Sequence, residues 1–172
     1  MALLGWVPGG DTYNDILPET KQPRFIHNTS GRFESRWSNV TIKDSPSIML
    51  KGMSGLTMGI WVAHGEGKAY FPDDGVQQKL AEGQCFPIRY CDDNGLVSES
   101  YPSNPNGSPE GIAAICSPDG RHLALMPHPE RCFLNWQLPW HPPASKLEPD
   151  MPSPWLKLFQ NAREWCDTKY HG

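Results

Sequence analysis

The chain has 172 residues, 38% hydrophobic and 20% charged, so it is long enough for one globular domain with its own core. The formal net charge of −4 argues against a surface for nucleic acid, and no stretch approaches the roughly eighteen consecutive apolar residues of a membrane span. The five cysteines lack CxxC spacing and predict neither a disulfide framework nor a zinc site, which favours a reducing, cytoplasmic compartment.

The first ten residues have the pattern of a helix end rather than a helix start. An apolar stretch meets Gly5, and Pro8 followed by two glycines stops any helix. One hypothesis is that Met1 is a true start and the segment docks on the core. The other is that the chain begins inside a helix whose first part is absent. The residues alone leave both hypotheses open.

Two strands are predicted next, at residues 24–28 and 33–42, from their β-branched and aromatic content. Within the second strand and just before it, Arg32, Glu34 and Arg36 alternate along the chain and therefore share one face. We interpret this row of charges as a solvated face rather than a ligand site.

The apolar run at residues 58–63 is too short for a helix and predicts a buried strand. It ends in His64-Gly65-Glu66-Gly67. Polar residues among glycines at a strand end are typical of the sites of α/β sheets, because glycine allows a ligand to approach the backbone. A single histidine in this position is more often structural than catalytic.

Further along, a helix, a strand and a β-hairpin are predicted at residues 73–82, 86–91 and 111–126. The proline-rich loop at residues 101–109 is costly to order unless it packs or binds something. The second strand of the hairpin leads directly to His128.

His128 and Glu130 form the strongest chemical signal of the chain. Alternate residues of an extended segment point to the same side, and Pro129 between them restricts the backbone. The two side chains should therefore face one pocket. A carboxylate beside an imidazole sets its tautomer and favours its protonated form, as a general base requires. Such a pair implies a nucleophile as the third member.

No cysteine of the chain sits in the exposed strand-to-helix turn that activates a catalytic thiol. We predict that each is buried or incidental, at Cys85, Cys91, Cys116, Cys132 and Cys166. Ser30 and Ser108, the serine alternatives, lack such a turn as well.

The C-terminal part divides into a Trp- and Pro-rich segment at residues 132–152 and a helix at residues 153–168. The tryptophans need apolar cover, so the first segment is a candidate interface strip. Ser153 and Pro154 are the predicted N-cap and first-turn residues of the helix. Its predicted apolar face consists of Leu156, Phe159, Ala162 and Trp165.

Four motifs follow one another along the chain: Asn28-Thr29-Ser30-Gly31-Arg32-Phe33-Glu34-Ser35-Arg36, His64-Gly65-Glu66-Gly67, Tyr101-Pro102-Ser103-Asn104-Pro105-Asn106-Gly107-Ser108-Pro109 and Met126-Pro127-His128-Pro129-Glu130-Arg131. Together they resemble the C-terminal class I glutamine amidotransferase domain of the large single-chain phosphoribosylformylglycinamidine synthases. The resemblance extends to the terminal helix and so covers essentially the whole chain.

The resemblance implies an α/β fold, flavodoxin-like with three αβα layers and an added β-hairpin region. Residues 1–172 would form a single partial amidotransferase domain, incomplete at its N-terminus. Residues 1–10 would then be the end of the helix that follows the nucleophile turn, and the catalytic cysteine would precede this chain. We therefore expect the chain alone not to hydrolyse glutamine.

The resemblance also implies a Cys-His-Glu triad that hydrolyses glutamine through a glutamyl thioester. By position, His128 is the general base and Glu130 its orienting carboxylate. The backbone of the strand-end loop would hold the amino-acid moiety of glutamine, and the polar turn before residue 34 would border the pocket. The implied substrate-binding residues are His64, Gly65, Glu66, Asn28, Arg32 and Phe33.

No metal or cofactor is expected in this domain. The ammonia would pass to a synthetase domain of the same enzyme, which uses ATP and magnesium to amidate formylglycinamide ribonucleotide in purine biosynthesis. Two alternatives remain open. In the first, the chain is a catalytically silent module that docks on a synthetase partner through residues 136–143. In the second, it is another thiol hydrolase, such as a γ-glutamyl hydrolase.

Overall fold

A computed structural model describes residues 1–9, 16–141 and 147–170. In this part of the chain the strands are β1 Arg24–His27, β2 Glu34–Ile42, β3 Thr57–His64, β4 Glu66–Tyr70, β5 Ile88–Tyr90, β6 Ala114–Cys116 and β7 Leu123–Leu125, and the α-helices are α1 Asp74–Glu82 and α2 Leu156–Tyr170. The predicted strands, the first helix and the hairpin are confirmed, and so is the mixed α/β class.

The central sheet has the order β3-β2-β5, and two further pairs are β1-β4 and β6-β7. The pairing of β2 with β3 extends from Glu34 opposite His64 to Thr41 opposite Thr57. All strand pairs among the described residues are antiparallel. The flavodoxin-like layering is therefore not established by these pairs and stays a prediction.

The hydrophobic core lies on one face of the central sheet. Val40 of β2 and Ile60 of β3 are fully buried there, together with Tyr90 of β5. On the other face of β3, Gly59 makes room for the Trp37 ring, because a Cβ at Gly59 would lie 2.2 Å from that ring. The carbonyl of Gly59 accepts a 2.8 Å hydrogen bond from Nε1 of the buried Trp155, which joins the C-terminal segment to the sheet.

The terminal helix packs through a different face from the one predicted. Its buried positions are Leu158 and Asn161, with Trp155 just ahead of the helix, whereas Phe159 is 39% exposed. Asn161 Nδ2 donates to the carbonyls of Met49 at 3.0 Å and Lys51 at 2.8 Å. These bonds and the burial of Trp155 and Leu158 share one face of the helix.

The start of this helix is also later than predicted. Regular α-helix begins at Leu156 rather than at residue 153. Ser153 caps the turn ahead of it, since its Oγ accepts a 3.2 Å hydrogen bond from the Trp155 N–H.

Two segments carry exposed apolar residues: residues 1–9 and the Trp- and Pro-rich segment at residues 132–152. Residues 1–9 contain a 3₁₀-helical turn, Ala2–Leu4, which ends at Gly5 with φ of 69°. That residues 1–10 are the end of a longer helix stays a prediction, and residue 10 lies outside the described residues. In the Trp-rich segment Trp136 and Trp140 are 63% and 70% exposed, and residues 142–146 are not described. Within the described ranges, no helix has the length and apolar character needed to cross a membrane.

Candidate active site

His128 and Glu130 are in direct contact. Nδ1 of His128 lies 2.7 Å from Oε1 of Glu130, and the two side chains are 25% and 54% exposed. The predicted extended segment is wrong, because Pro129–Arg131 forms a 3₁₀-helical turn. Proline suits the first position of such a turn, where no N–H is required. The turn, rather than strand alternation, brings the carboxylate to the imidazole.

The central sheet holds His128 in place. Its backbone N–H donates a 2.8 Å hydrogen bond to the carbonyl of Trp61, on the edge of β3. With Nδ1–H donating to Glu130, Nε2 is the free nitrogen and can accept a proton. This geometry is the one expected for the predicted general base and its orienting carboxylate, and the two roles stay predictions.

His64 lies beside His128, with their ring centroids 6.2 Å apart. The His64 side chain is buried, and its Nε2 is 3.2 Å from Oδ1 of Asn106. Burial lowers the pKa of His64, and a positive charge on His128 would lower that pKa further, while the hydrogen bond to Asn106 acts in the opposite direction. A lowered pKa favours the neutral form of His64, so this ring adds no positive charge beside His128 near neutral pH.

Asn28 and Gly65 meet His64, as the motifs predicted. Asn28 is buried, and its backbone N–H donates to the Gly65 carbonyl at 2.9 Å. Its Nδ2 donates to the carbonyls of His64 and Arg32, both at 2.8 Å. Gly65 is the single residue between β3 and β4, so the predicted strand-end loop is a one-residue junction between the two strands.

Three other predicted substrate-binding side chains point to solvent. Phe33 is 67% exposed, and Arg32 is exposed as well. Glu66 pairs with His27 at 3.6 Å on the surface, where its side chain is 65% exposed. The structure does not bring these side chains to His128, and their role in binding stays a prediction.

The charged row along β2 is not the solvated face that the sequence predicts. Glu34 is only 4% exposed. It accepts a 2.7 Å hydrogen bond from Ser30 Oγ and forms a 2.8 Å ion pair with Arg36, which lies over the ring of Tyr101 at 4.6 Å. Burial of this charge is possible because its partners satisfy it. In the register of the sheet, Glu34 stands opposite His64.

Sequence reasoning missed Asn106, which is fully buried in the loop at residues 101–109. This residue contacts Asn28, His64 and Tyr90. The available signal was the presence of two asparagines in a loop whose prolines make it rigid, since such a loop must pack to be ordered.

Comparison with known proteins decides between the readings of this site. Residues 1–166 match the family of CobB/CobQ-like glutamine amidotransferase domains. The chain belongs to this family. The match favours the amidotransferase over both alternatives, the silent docking module and the other thiol hydrolase.

Curated relatives give the same result. The chain is 65% identical over 168 residues to the probable phosphoribosylformylglycinamidine synthase, chloroplastic/mitochondrial, of Arabidopsis thaliana, covering 98% of this chain and 12% of that protein. It is 54% identical over 171 residues to the phosphoribosylformylglycinamidine synthase of Dictyostelium discoideum, covering 98% and 12%. For the Homo sapiens protein of that name the identity is 47% over 172 residues, covering 96% and 13%. The chain thus spans about an eighth of the length of these relatives.

A solved structure supports the fold of the amidotransferase domain. The structure of PurLQS from Thermotoga maritima superposes with a TM-score of 0.57 at 23% sequence identity, covering 86% of this chain and 55% of that chain. At this identity the likeness concerns the fold alone.

The thiols of the amidotransferase domain do not complete its site. Cys132 lies close to His128 but donates to the His128 carbonyl at 3.5 Å rather than to the imidazole, and burial raises its pKa to about 12. Burial raises the pKa of Cys91 to about 11. Cys116 is fully buried against Cys85, and both this contact and burial raise its pKa. Cys166 is exposed on α2, outside the site.

Among the residues that the structure describes, no group of three or more His, Cys, Asp or Glu side chains is arranged to hold a metal ion. The expectation that this domain works without a metal or cofactor stays a prediction.

Proposed function

We propose that this domain releases ammonia from glutamine for a phosphoribosylformylglycinamidine synthase. The observation that carries the proposal is the 2.7 Å contact between His128 and Glu130, in a chain of the amidotransferase family. The name shared by the three relatives, at 47–65% identity, supports the acceptor reaction.

In the proposed mechanism His128 Nε2 takes the proton of a cysteine thiol, and Glu130 stabilises the imidazolium. The thiolate adds to the amide carbon of glutamine, the C–N bond breaks, and His128 returns its proton to the departing nitrogen, which leaves as ammonia. Water, deprotonated by His128, then hydrolyses the thioester to glutamate and the free thiol. The two residues thus act in both halves of the reaction.

We propose that the nucleophile comes from another segment of a longer protein. Four of the five cysteines are buried, and the fifth is remote from the site in the fold. The relatives are about eight times longer than this chain, which leaves ample sequence to contribute that segment. The same segment would complete the flavodoxin-like αβα layering.

Glutamine is the proposed substrate, held through its amino-acid moiety at the junction between β3 and β4. His64 and Gly65 have their carbonyls occupied by Asn28, so the backbone orientation at the junction is fixed before a ligand arrives. Glu66, Arg32 and Phe33, which are exposed, would border the entrance.

The proposed recipient of the ammonia is a synthetase domain that uses ATP and magnesium. The exposed Trp136 and Trp140 form a candidate docking strip for it. A cytoplasmic location stays a prediction, since the name of the Arabidopsis relative places that protein in chloroplasts or mitochondria.

A glutaminase assay on this chain, beside a version extended upstream through the proposed nucleophile, tests the proposal. We expect hydrolysis by the extended protein alone, abolished by His128→Ala. Hydrolysis by the short chain would contradict the proposal, because one of its own thiols would then be the nucleophile.

A further inference from the structure

We propose that Asn106 is a positioning residue of the amidotransferase site. It holds the imidazole of His64 beside His128 and, through the Asn28 side chain, fixes the backbone carbonyl of His64 next to Gly65. This inference rests on the proposed hydrolysis of glutamine. Asn106 itself is remote in sequence from the motif that carries the base.

Both polar atoms of the buried Asn106 side-chain amide, Oδ1 and Nδ2, make hydrogen-bond contacts. Its Nδ2 donates to Asn28 Oδ1 at 2.7 Å. Its Oδ1 accepts from the Tyr90 hydroxyl at 2.6 Å and lies 3.2 Å from Nε2 of His64. Because Oδ1 can only accept, Nε2 of His64 carries the proton, which assigns the tautomer of His64. Loss of this amide would leave three desolvated polar groups unpaired.

Asn28 carries the effect to the backbone. Its side chain is oriented by Asn106, and Nδ2 donates to the carbonyls of His64 and Arg32, both at 2.8 Å, while the backbone N–H of Asn28 donates to the Gly65 carbonyl at 2.9 Å. The carbonyls of His64 and Gly65 set the directions of the peptide planes at the junction between β3 and β4. If the Asn28 side chain rotates, the His64 carbonyl at this junction loses its partner, the peptide plane before Gly65 is no longer held, and the affinity for glutamine falls.

The side chains of His64 and Asn106 pack against Gly67 with no room for a Cβ there. A Cβ at Gly67 would lie 2.4 Å from Nε2 of His64 and 2.5 Å from Nδ2 of Asn106. Both atoms belong to buried, hydrogen-bonded groups that have no free space to move into. Gly67→Ala should therefore disturb the same contact while the Asn106 amide remains present.

The loop that bears Asn106 has a separate anchor. Ser108 Oγ accepts from the Ala69 N–H at 2.9 Å and donates to the Gly67 carbonyl at 3.2 Å. These bonds tie the loop to β4 without touching His64 or Asn28. Ser108→Ala is thus a matched control, since it weakens the attachment of the loop and leaves the contacts of Asn106 in place.

The first test measures glutamine hydrolysis by the full-length protein. In Asn106→Ala we expect the KM for glutamine to rise at least tenfold with a smaller loss of kcat, and in Ser108→Ala both constants to stay within twofold. Synthesis driven by added ammonia should be unchanged in both. An unchanged KM in Asn106→Ala, or equal losses in the two variants, would overturn the inference.

The second test does not depend on activity. Two-bond ¹H–¹⁵N correlation spectra should show His64 as the Nε2–H tautomer in the wild-type protein and in Ser108→Ala, but not in Asn106→Ala. Gly67→Ala should reproduce the loss if Asn106→Ala does not fold. An unchanged His64 tautomer in both Asn106→Ala and Gly67→Ala would refute the positioning role. If the tautomer responds but wild-type protein does not hydrolyse glutamine, the proposed function fails and the positioning role stands.

Discussion

Among single residues, the proposed chemistry depends on the contact between His128 and Glu130. The Glu130 carboxylate lies 2.7 Å from Nδ1, which leaves Nε2 as the ring nitrogen that can accept a proton. Arg131 Nε lies 3.7 Å from the same carboxylate oxygen and places a positive charge beside it. The pair is partly exposed, which leaves the imidazole accessible to a thiol from another segment.

Glu130→Gln tests the charge of this pair. The amide can still accept a hydrogen bond from Nδ1–H, so the ring keeps its orientation while the imidazolium loses its counter-charge. We expect the kcat for glutamine hydrolysis in the extended protein to fall by roughly 10²–10⁴-fold, the usual contribution of a general base. Ammonia-driven synthesis serves as the control and should be unaffected. Full glutaminase activity in Glu130→Gln would show that the contact is structural only.

Thiol alkylation tests the prediction that the four buried cysteines of this chain are unreactive. Burial raises the pKa of Cys91 to about 11 and that of Cys132 to about 12, so at about pH 8 only about one thiol in a thousand or fewer is ionised at these sites. In the native protein we expect iodoacetamide to modify Cys166 alone, and in urea all five cysteines. Mass spectrometry of the peptides gives the result. Rapid native modification of Cys132 would contradict the buried environment assigned to it.

The sequence predicted part of this site correctly. The contact between His128 and Glu130 was predicted, because one intervening proline allows few conformations, although the structure achieves it through a helical turn. The burial of Glu34 could not be predicted, since it depends on Ser30 and on Arg36 stacking over Tyr101, 65 residues beyond Arg36 in the chain. The role of Asn106 was hidden for the same reason: its partners come from three separate elements.

At the scale of elements, β3 links the core to the site. One of its faces buries Ile60 and Val62, its edge carbonyl at Trp61 holds His128, and its last residue is His64. A strand that is paired along its length with β2 can place both histidines.

Gly59→Ala tests the packing of β3. A Cβ at Gly59 would lie 2.2 Å from the Trp37 ring, so the ring must move against its neighbours. We expect the free energy of unfolding to fall by about 1–3 kcal/mol, as for other overpacked sites. Gly65→Ala is the matched control: nothing lies within 4 Å of a Cβ there, and its stability should change by less than about 0.5 kcal/mol. Urea unfolding curves measure both, and equal stability of the two variants would contradict the packing.

Strand content was predictable because β2 and β3 are rich in β-branched and aromatic residues, which few other structures accommodate. The face of α2 was not. Its sequence offers the apolar residues Leu156 and Phe159, yet the buried face contains Leu158 and Asn161, and Asn161 bonds two backbone carbonyls of a distant turn. Periodicity reports apolar spacing and contains no information about such partners.

At the scale of the whole molecule, the site is assembled from four distant parts of the chain: the end of β1, the end of β3, the loop at residues 101–109 and the turn after β7. The described residues include His128, Glu130 and the buried network beneath them. Since the relatives are about eight times longer, we propose that a segment elsewhere in a longer protein supplies the thiol.

Locating the glutamyl thioester on the chain tests whether the nucleophilic cysteine lies outside these residues. The extended protein is mixed with glutamine, quenched in acid and digested, and mass spectrometry locates the cysteine that carries the glutamyl group. We predict that the adduct lies on a cysteine outside these 172 residues and that His128→Ala prevents its formation. An adduct on Cys85, Cys91, Cys116, Cys132 or Cys166 would contradict the account, because the nucleophile would then belong to this chain.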